Sequence, residues 1–294
     1  MRERVTGSPV RGSPRWPGSK QTATRSPSRP RAPLARGQLG SFLERLPRTE
    51  RRALLLDFDG TLSPFETDRE RSAMYPGVRS ALLALILEGR CRVAIVSGRS
   101  MPSLRRAVGL DGGVELWASH GLERFTTDGC WIGPRRSREL TRFLAAAARE
   151  VRGRWPDLVE VKRYGLALHS RGRRRRLFAQ ARAELVERWL EPAFAAGLEL
   201  IRFDGGIELR PAGRDKGHVV DTVFAEMGDA MVAYLGDDRS DEDAFRALKG
   251  RGLGVLVRPE PRPTLADVWI RPPAGLLAFL LRWNAACCHG GPVS

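Results

Sequence analysis

The feature that most constrains this chain is a short apolar run that ends in two aspartates. Residues 54–61 read LLLDFDGT, which places Asp57 and Asp59 two residues apart directly after the run. Such a run, bounded by turn signals, predicts a buried strand of a parallel sheet, and ligands bind beyond the carboxyl ends of such strands. Two carboxylates in contact repel each other by about 1–4 kcal/mol, so a hard cation or a shared proton is expected between them. The alternative is a strand followed by an ordinary Asp-Gly turn.

Length and composition limit the class of protein. The 294 residues can form one large domain or two modest ones. No segment has the roughly 18 continuous apolar residues that span a bilayer. The N-terminus lacks the apolar core of a secretory signal, so we expect a cytoplasmic protein that does not contact a membrane. The four cysteines have no C-x-x-C spacing and are expected to be free thiols.

Half of the net charge lies in the first eighth of the chain. Residues 1–38 contain nine arginines and lysines and one glutamate, a net charge of +8 out of +16, together with six prolines. Such a segment buries too little apolar surface to offset the entropy of ordering, so we expect a disordered basic extension. A basic tail can attract nucleic acid, but no nucleic-acid motif accompanies this one. We therefore expect a solvated extension without a nucleic-acid partner.

The folded part is expected to begin near residue 39 as a series of alternating strands and helices. Besides the first strand, buried strands are predicted at residues 91–96, 114–118, 231–235 and 254–257. Helices are predicted at residues 77–88, from about 102, at 216–227 and at 276–283. This order predicts a Rossmann-like α/β core with a mostly parallel sheet, formed by residues 39–125 and 212–285. Residues 286–294 are expected to be a frayed tail.

Residues 126–211 interrupt this series and are interpreted as an insertion. Helices are predicted at residues 137–155 and 173–190, and period-two strands at 158–164, 166–171, 198–203 and 207–210. The Asp204-Gly205-Gly206 string between the last two strands is a hairpin signal. The order αββαββ predicts an inserted α+β cap domain with an antiparallel sheet that carries helices on one face.

Polar side chains follow the ends of the core strands or lie next to them. They are Asp57, Asp59, Ser97, Lys216, Asp237 and Asp238. One carboxylate can attack phosphorus, and a second can protonate the leaving oxygen and later deprotonate water. A serine hydroxyl and a lysine ammonium can hold phosphoryl oxygens, and further carboxylates can bind Mg²⁺. Each residue alone also fits a turn, a solvated lysine or a helix N-terminus, but the set and its placement predict a phosphoryl-transfer site.

The strings DFDGT and GDD, with Ser97 and Lys216 between them in the chain, resemble the haloacid dehalogenase (HAD) superfamily of Mg²⁺-dependent phosphohydrolases. The resemblance implies that Asp57 is the nucleophile and Asp59 the general acid/base. It implies that Ser97 and Lys216 bind the phosphoryl group.

The same resemblance implies a Mg²⁺ site. Asp57, the main-chain carbonyl of Asp59 and Asp237 are the implied ligands. Asp238 and Asp241 are further or alternative ligands, and of these two we assign Asp238 to the metal.

The alternation of the cap strands places one set of polar residues opposite the apolar ones. The set is Glu160, Lys162, His169, Arg171, Glu208 and Arg210. In one interpretation they form a solvated sheet surface with weak cross-strand ion pairs. In the other, the sheet closes over the strand ends of the core, where carboxylates and cations suit sugar hydroxyls.

The strings SGR at 97–99, SHGLE at 119–123 and GDDRSDEDAF at 236–245, with the polar cap strings, resemble the trehalose-6-phosphate phosphatase family. The resemblance covers roughly residues 50–285. The substrate-binding residues that follow from it are Gly98, Arg99, His120, Gly121, Glu160, Lys162, Arg171 and Glu208.

These observations lead to one expected function and two alternatives. We expect a monomer that hydrolyses trehalose 6-phosphate with Mg²⁺ through an aspartyl-phosphate. A HAD phosphatase for another sugar phosphate remains open, because the core does not set specificity. A non-catalytic sugar-phosphate sensor also remains open.

Overall fold

The structure, a computed structural model, describes residues 36–66, 71–110, 112–170, 172–203 and 205–288. Nearly all of the predicted basic extension (1–38) lies outside the described residues, as do Arg171 and residues 289–294 of the predicted tail.

Strands and helices alternate along most of the chain. The strands are β1 (Arg52–Asp57), β2 (Arg92–Val96), β3 (Glu115–Ala118), β4 (Glu123–Phe125), β5 (Trp131–Ile132), β6 (Val159–Val161), β7 (Leu166–His169), β8 (Leu198–Phe203), β9 (Gly206–Pro211), β10 (Met231–Gly236), β11 (Leu253–Val257) and β12 (Val268–Ile270). The helices are α1 (Arg36–Arg45), α2 (Val78–Glu88), α3 (Met101–Val108), α4 (Arg138–Arg154), α5 (Arg175–Ala195), α6 (Lys216–Met227), α7 (Glu242–Leu248) and α8 (Ala274–Cys288).

An eight-stranded sheet forms the core, in the order β12-β11-β10-β1-β2-β3-β4-β5. The strands from β12 to β3 are parallel, and β4 and β5 are antiparallel additions at one edge. Every residue of β1 is buried because helices cover both faces of the sheet. Leu54 and Leu56 pack toward α2, α3 and α8, whereas Ala53 and Leu55 pack toward α6 and α7. The predicted α/β core is confirmed.

The cap is a separate four-stranded antiparallel sheet in the order β6-β7-β9-β8. Its apolar residues form one cluster with residues of α4 and α5, including Leu144, Leu185 and Leu209. The αββαββ order follows the prediction. The cap begins later than the predicted residue 126, because β5 pairs with β4 and extends the core sheet to Ile132. A two-residue strand is too short for a periodic signal, so the sequence did not reveal it.

The two ends of the described core also differ from the prediction. α1 begins at Arg36, within the segment predicted to be disordered, and β12 was not predicted. α8 continues to Cys288 instead of fraying, because Cys287 is buried against the core. Among the described residues, no helix combines the length and the apolar character that a bilayer crossing requires.

Trp283 on α8 tests the packing of the C-terminal helix. It is fully buried, stacks on Phe42 and Phe279, and donates its indole N–H to the Cys91 sulfur at 3.4 Å. Trp283→Ala is expected to lower the free energy of unfolding by about 3–5 kcal/mol, because it leaves a large cavity. Urea unfolding measures the change. Leu281→Ala on the same helix is the control, since Leu281 is half exposed; an equal loss in both variants would contradict the packing described.

Candidate active site

A buried ion cluster joins the end of β1 to the start of α6. The Lys216 ammonium donates to Asp57 Oδ1 at 2.6 Å and to Asp241 Oδ1 at 2.7 Å. The Asp215 side chain accepts the N–H of His218 and caps α6, which fixes Lys216 as the first helical residue. Asp57, Lys216 and Asp241 are each less than 5% exposed. A buried charge is tolerated only with such partners, so this contact fixes the position of the first strand end.

The loop after β10 is folded around the Asp241 carboxylate. Asp241 Oδ2 accepts the N–H of Asp237 at 2.9 Å and of Asp238 at 2.8 Å, and Asp241 Oδ1 accepts the Tyr234 hydroxyl at 2.7 Å. Asp241 thus connects the loop to Lys216 and holds the Asp237 side chain beside Asp57.

Two arginines hold the other side of this loop. Arg258 donates to the carbonyl of Asp237 at 3.0 Å, and Arg262 donates to the carbonyl of Asp238 at 2.7 Å. Arg262 also forms an ion pair with Glu242 at 2.5 Å. Both the N–H and the C=O of Asp237 and of Asp238 are therefore bonded, which leaves these two residues little freedom to move.

The carboxylates of Asp57, Asp237 and Asp241 fit a divalent cation. One oxygen from each lies within 4.8 Å of the others, and all three residues are buried. Asp237 Oδ2 is buried and has no hydrogen-bond partner among the described residues. Gly60 (φ +88°) makes the close approach possible, since a Cβ there would lie 2.5 Å from the same oxygen. An oxygen-only donor set of this kind suits Mg²⁺.

The pKa values of Asp57 and Asp237 are raised, as expected where burial and neighbouring negative charges both disfavour ionisation. Burial raises the pKa of Asp57 to about 7; Lys216 opposes this shift and Asp241 adds to it. Burial, together with Asp57 and Asp241, raises the pKa of Asp237 well above its ordinary value. Burial lowers the pKa of Lys216, but Asp241 and Asp57 outweigh it and the pKa is raised, so the ammonium stays charged. A bound cation would relieve the repulsion that remains.

One predicted metal ligand occupies a different place. Asp241, and not Asp238, completes the cluster with Asp57 and Asp237. Asp238 begins a short helical turn and accepts the N–H of Arg239 at 2.6 Å, which directs Asp241 back under the loop. The sequence offered both Asp238 and Asp241 as ligands, and spacing alone did not distinguish them.

Asp59 is paired with Arg99 in a bidentate ion pair. Arg99 donates to the two carboxylate oxygens of Asp59 at 2.8 and 2.6 Å. Arg99 also donates to Ser72 at 2.8 Å and lies over the Phe58 ring. With 1% of its surface exposed, Arg99 does not line the cleft, so the predicted substrate contact is replaced by a contact with Asp59.

The cap contacts the core through two buried charged residues. The Lys162 ammonium from β6 donates to the carbonyl of Gly98 in the core at 2.8 Å and to Glu208 on β9 at 2.8 Å. The other oxygen of Glu208 lies 3.2 Å from Nε2 of His120, a core residue. Burial raises the pKa of Glu208, but Lys162 and His120 outweigh it, so the pKa is lowered and Glu208 is ionised.

His120 occupies a strained and buried position. Its φ is +59°, which is uncommon for a non-glycine residue, and its ring lies against Gly98, where a Cβ would come within 2.6 Å. Burial lowers the pKa of His120 to about 4, although Glu208 raises it in part. The ring is therefore neutral near pH 7, and its Nδ1 has no partner among the described residues.

A cleft of about 550 Å³ lies between the strand ends of the core and the polar face of the cap. The predicted site residues that line it are Asp57, Asp59, Ser97, Gly98, His120, Glu160, Lys162, Glu208, Lys216 and Asp238. His169, which the sequence placed on the polar face of the cap, also lines the cleft. Among the described residues, the lining that the sequence did not predict includes Phe65, Asp157, Arg173 and Phe203.

Two other predicted residues do not line the cleft. Asp237 is buried beneath it in the carboxylate cluster. Gly121 (φ +92°) packs under α6, where a Cβ would lie 2.5 Å from Val219, so its role is in packing. Arg171 lies outside the described residues, and its predicted contact is neither supported nor contradicted.

A mostly parallel core with a cap inserted between its strands is the HAD fold of phosphohydrolases. The C-terminal domain of the C. albicans trehalose-6-phosphate phosphatase has this fold, with a TM-score of 0.71 over 88% of this chain and 99% of that one, at 23% identity. The model of one family, described as trehalose-phosphatase, matches residues 55–267. The chain therefore belongs to the trehalose-phosphatase family.

Curated relatives are longer than this chain. It is 33% identical over 244 residues to the trehalose-phosphate phosphatase of Mycobacterium marinum, which is 78% of this chain and 60% of that protein. It is 35% identical over 238 residues to a Mycobacterium tuberculosis protein named uncharacterized glycosyl hydrolase, which is 75% of this chain and 17% of that protein. The chain thus spans less than two thirds of the length of these relatives.

The burial of His120 predicts a dependence of stability on pH. Its pKa is about 4 in the folded chain and about 6.5 when unfolded, so the unfolded chain binds more protons between these values. The free energy of unfolding should therefore fall by about 3 kcal/mol as the pH drops from about 6.5 to about 4. His120→Gln should flatten this slope in urea titrations. His169→Gln, at a more exposed position, is the control, and an unchanged slope in His120→Gln would contradict the assignment.

Proposed function

We propose that this chain hydrolyses trehalose 6-phosphate to trehalose and phosphate. The observation that carries the proposal is the buried Asp57–Lys216–Asp241 cluster at the floor of a cleft that the cap closes. Membership in the trehalose-phosphatase family supports the substrate. Because the chain spans only part of its curated relatives, the activity is a proposal for this chain itself.

The reaction proceeds in two displacements. An oxygen of Asp57 attacks phosphorus as the bond from phosphorus to the sugar 6-oxygen breaks. Asp59, which is ionised in its pair with Arg99, must first take up a proton with the substrate, and it gives this proton to the 6-oxygen. Asp59 then takes a proton from water, whose oxygen attacks phosphorus and releases Asp57. Lys216 and Ser97 hold the phosphoryl oxygens, with Lys216 as a fixed positive charge next to the nucleophile.

Mg²⁺ is the cofactor that the carboxylate cluster fits. Asp57, Asp237 and the main-chain carbonyl of Asp59 would hold it, with Asp241 as a further carboxylate of the cluster. When bound, the ion would neutralise charge on the phosphoryl oxygens. Asp241 also bonds both the Lys216 ammonium and the backbone of the acidic loop, and these bonds do not depend on the ion.

The cap provides the sugar-binding side of the cleft. Glu160, Lys162 and Glu208 line it together with His120 and Gly98 from the core. These groups offer both donors and acceptors to sugar hydroxyls. The buried contact of Lys162 with the Gly98 carbonyl keeps the cap against the core, which excludes bulk water from the reacting phosphoryl group.

Phosphate release tests the function directly. We expect the protein to release phosphate from trehalose 6-phosphate far faster than from glucose 6-phosphate, and only with Mg²⁺. Asp57→Asn should lower kcat at least about 10³-fold because the nucleophile is lost. Asp221→Asn, at an exposed position on α6, is the matched control. Equal turnover of both sugar phosphates would reject the disaccharide specificity, and full activity in Asp57→Asn would reject the mechanism.

Arg99→Lys distinguishes a role in positioning Asp59 from a contact with the sugar. Lysine keeps the charge but cannot reproduce the bidentate pair, so Asp59 is held less accurately. We expect kcat to fall about 10- to 100-fold with little change in KM. Steady-state kinetics across substrate concentrations separate the two parameters. A raised KM with an unchanged kcat would instead indicate that Arg99 contacts the substrate, as the sequence predicted.

A further inference from the structure

Three cap side chains form a cluster on the wall of the cleft. His169 ends β7 and lies 3.0 Å, through Nε2, from Glu160 Oε2 on β6. The ring of Phe203, at the end of β8, packs against the His169 ring with centroids 5.8 Å apart and planes at 69°. All three residues line the same cleft as Asp57 and Lys216.

The cluster is held by the backbone of the β8–β9 hairpin. Ser170 donates both its N–H, at 2.7 Å, and its hydroxyl, at 3.0 Å, to the carbonyl of Gly205. Gly206 (φ +153°) packs so closely on β7 that a Cβ would lie 1.9 Å from the carbonyl of Leu168. His169 and Phe203 are both paired with Gly206 in the cap sheet, so their rings meet across a residue that has no side chain.

The chemistry of the cluster suits one face and one edge of a pyranose ring. A hexose has apolar C–H groups on its faces and hydroxyls around its edge. The flat Phe203 ring offers an apolar surface, while Glu160 and His169 offer an acceptor and a group that donates or accepts. Phe65 also lines the cleft, but on the core side, so Phe203 is the aromatic residue that the cap contributes to the described lining.

The reacting end of the cleft is already defined by the core. The phosphoryl group must lie at Asp57 and Lys216, and the sugar that carries it must place its 6-oxygen near Asp59. A disaccharide then has a second ring to accommodate, and a cleft of about 550 Å³ is in the range of volumes that small ligands occupy. The cap cluster, contributed by the other domain, is a built surface for that second ring.

We propose that Phe203 determines specificity for the disaccharide by packing against the glucose ring that carries no phosphate. This inference rests on the proposed function and adds to it the residue that distinguishes trehalose 6-phosphate from a monosaccharide phosphate. Phe203 does not act on the reacting atoms. Its contribution is binding energy that only a two-ring substrate can use.

The kinetic test compares two substrates. In Phe203→Ala, the ratio of kcat/KM for trehalose 6-phosphate to that for glucose 6-phosphate should fall about 10-fold, which is the size of one aromatic contact. Phe203→Tyr, which keeps the ring, should restore most of the ratio. Phe194→Ala is the matched control, because Phe194 is a half-exposed residue of α5 away from the cleft. An unchanged ratio in Phe203→Ala would overturn the proposal, as would an equal loss for both substrates.

A binding measurement keeps this inference separate from the proposed function. Trehalose carries both glucose rings and no phosphate, so its affinity can be measured calorimetrically without turnover. We expect the wild type to bind trehalose and Phe203→Ala to bind it about 10-fold more weakly. Trehalose binding that depends on Phe203, without phosphate release, would reject the phosphatase activity and retain the subsite. If the protein releases phosphate from trehalose 6-phosphate but Phe203→Ala leaves the affinity for trehalose unchanged, the phosphatase activity is retained and the subsite is rejected.

Discussion

The rest of the site depends on the buried contact of Lys216 with Asp57 and Asp241. A cation as the first residue of a helix is unfavourable for the helix dipole, and burial makes it more so. The two carboxylates compensate for both effects. Since α6 is the helix by which the chain returns from the cap to the core, this one ammonium places the end of the insertion at the strand ends of the sheet.

The division between core and cap follows from the kinds of residue that each contributes. The core supplies carboxylates on a rigid parallel sheet, where the register of β1 with β2 and β10 brings the strand ends together. The cap supplies Lys162 and Glu208 from antiparallel strands, and Lys162 reaches across to the Gly98 carbonyl. Specificity can therefore change in the cap while the reacting groups remain fixed.

The parallel core and the αββαββ cap could be predicted because their strands are long apolar or alternating runs. The two-residue β5 and the three-residue β12 carry no such signal, and α1 lies next to a basic, proline-rich segment that hides it. In the candidate site, Asp57 was predicted from its place at the end of a strand and Lys216 from its place at the start of a helix. Arg99 was predicted to contact the substrate, whereas its long side chain turns inward to Asp59. Phe203 lines the cleft and was not predicted there, because an aromatic residue at the end of a strand resembles a core residue.

The charge of the carboxylate cluster would couple the binding of the proposed cation to that of the proposed substrate. If all are counted as ionised, four carboxylates (Asp57, Asp59, Asp237 and Asp241) face two cations (Lys216 and Arg99), a formal excess of two negative charges. Burial, together with this excess of negative charge, raises the pKa values of Asp57 and Asp237. The phosphate dianion of the proposed substrate would double this formal excess, so the proposed divalent cation and that substrate would each strengthen the binding of the other, by an equal factor in both directions.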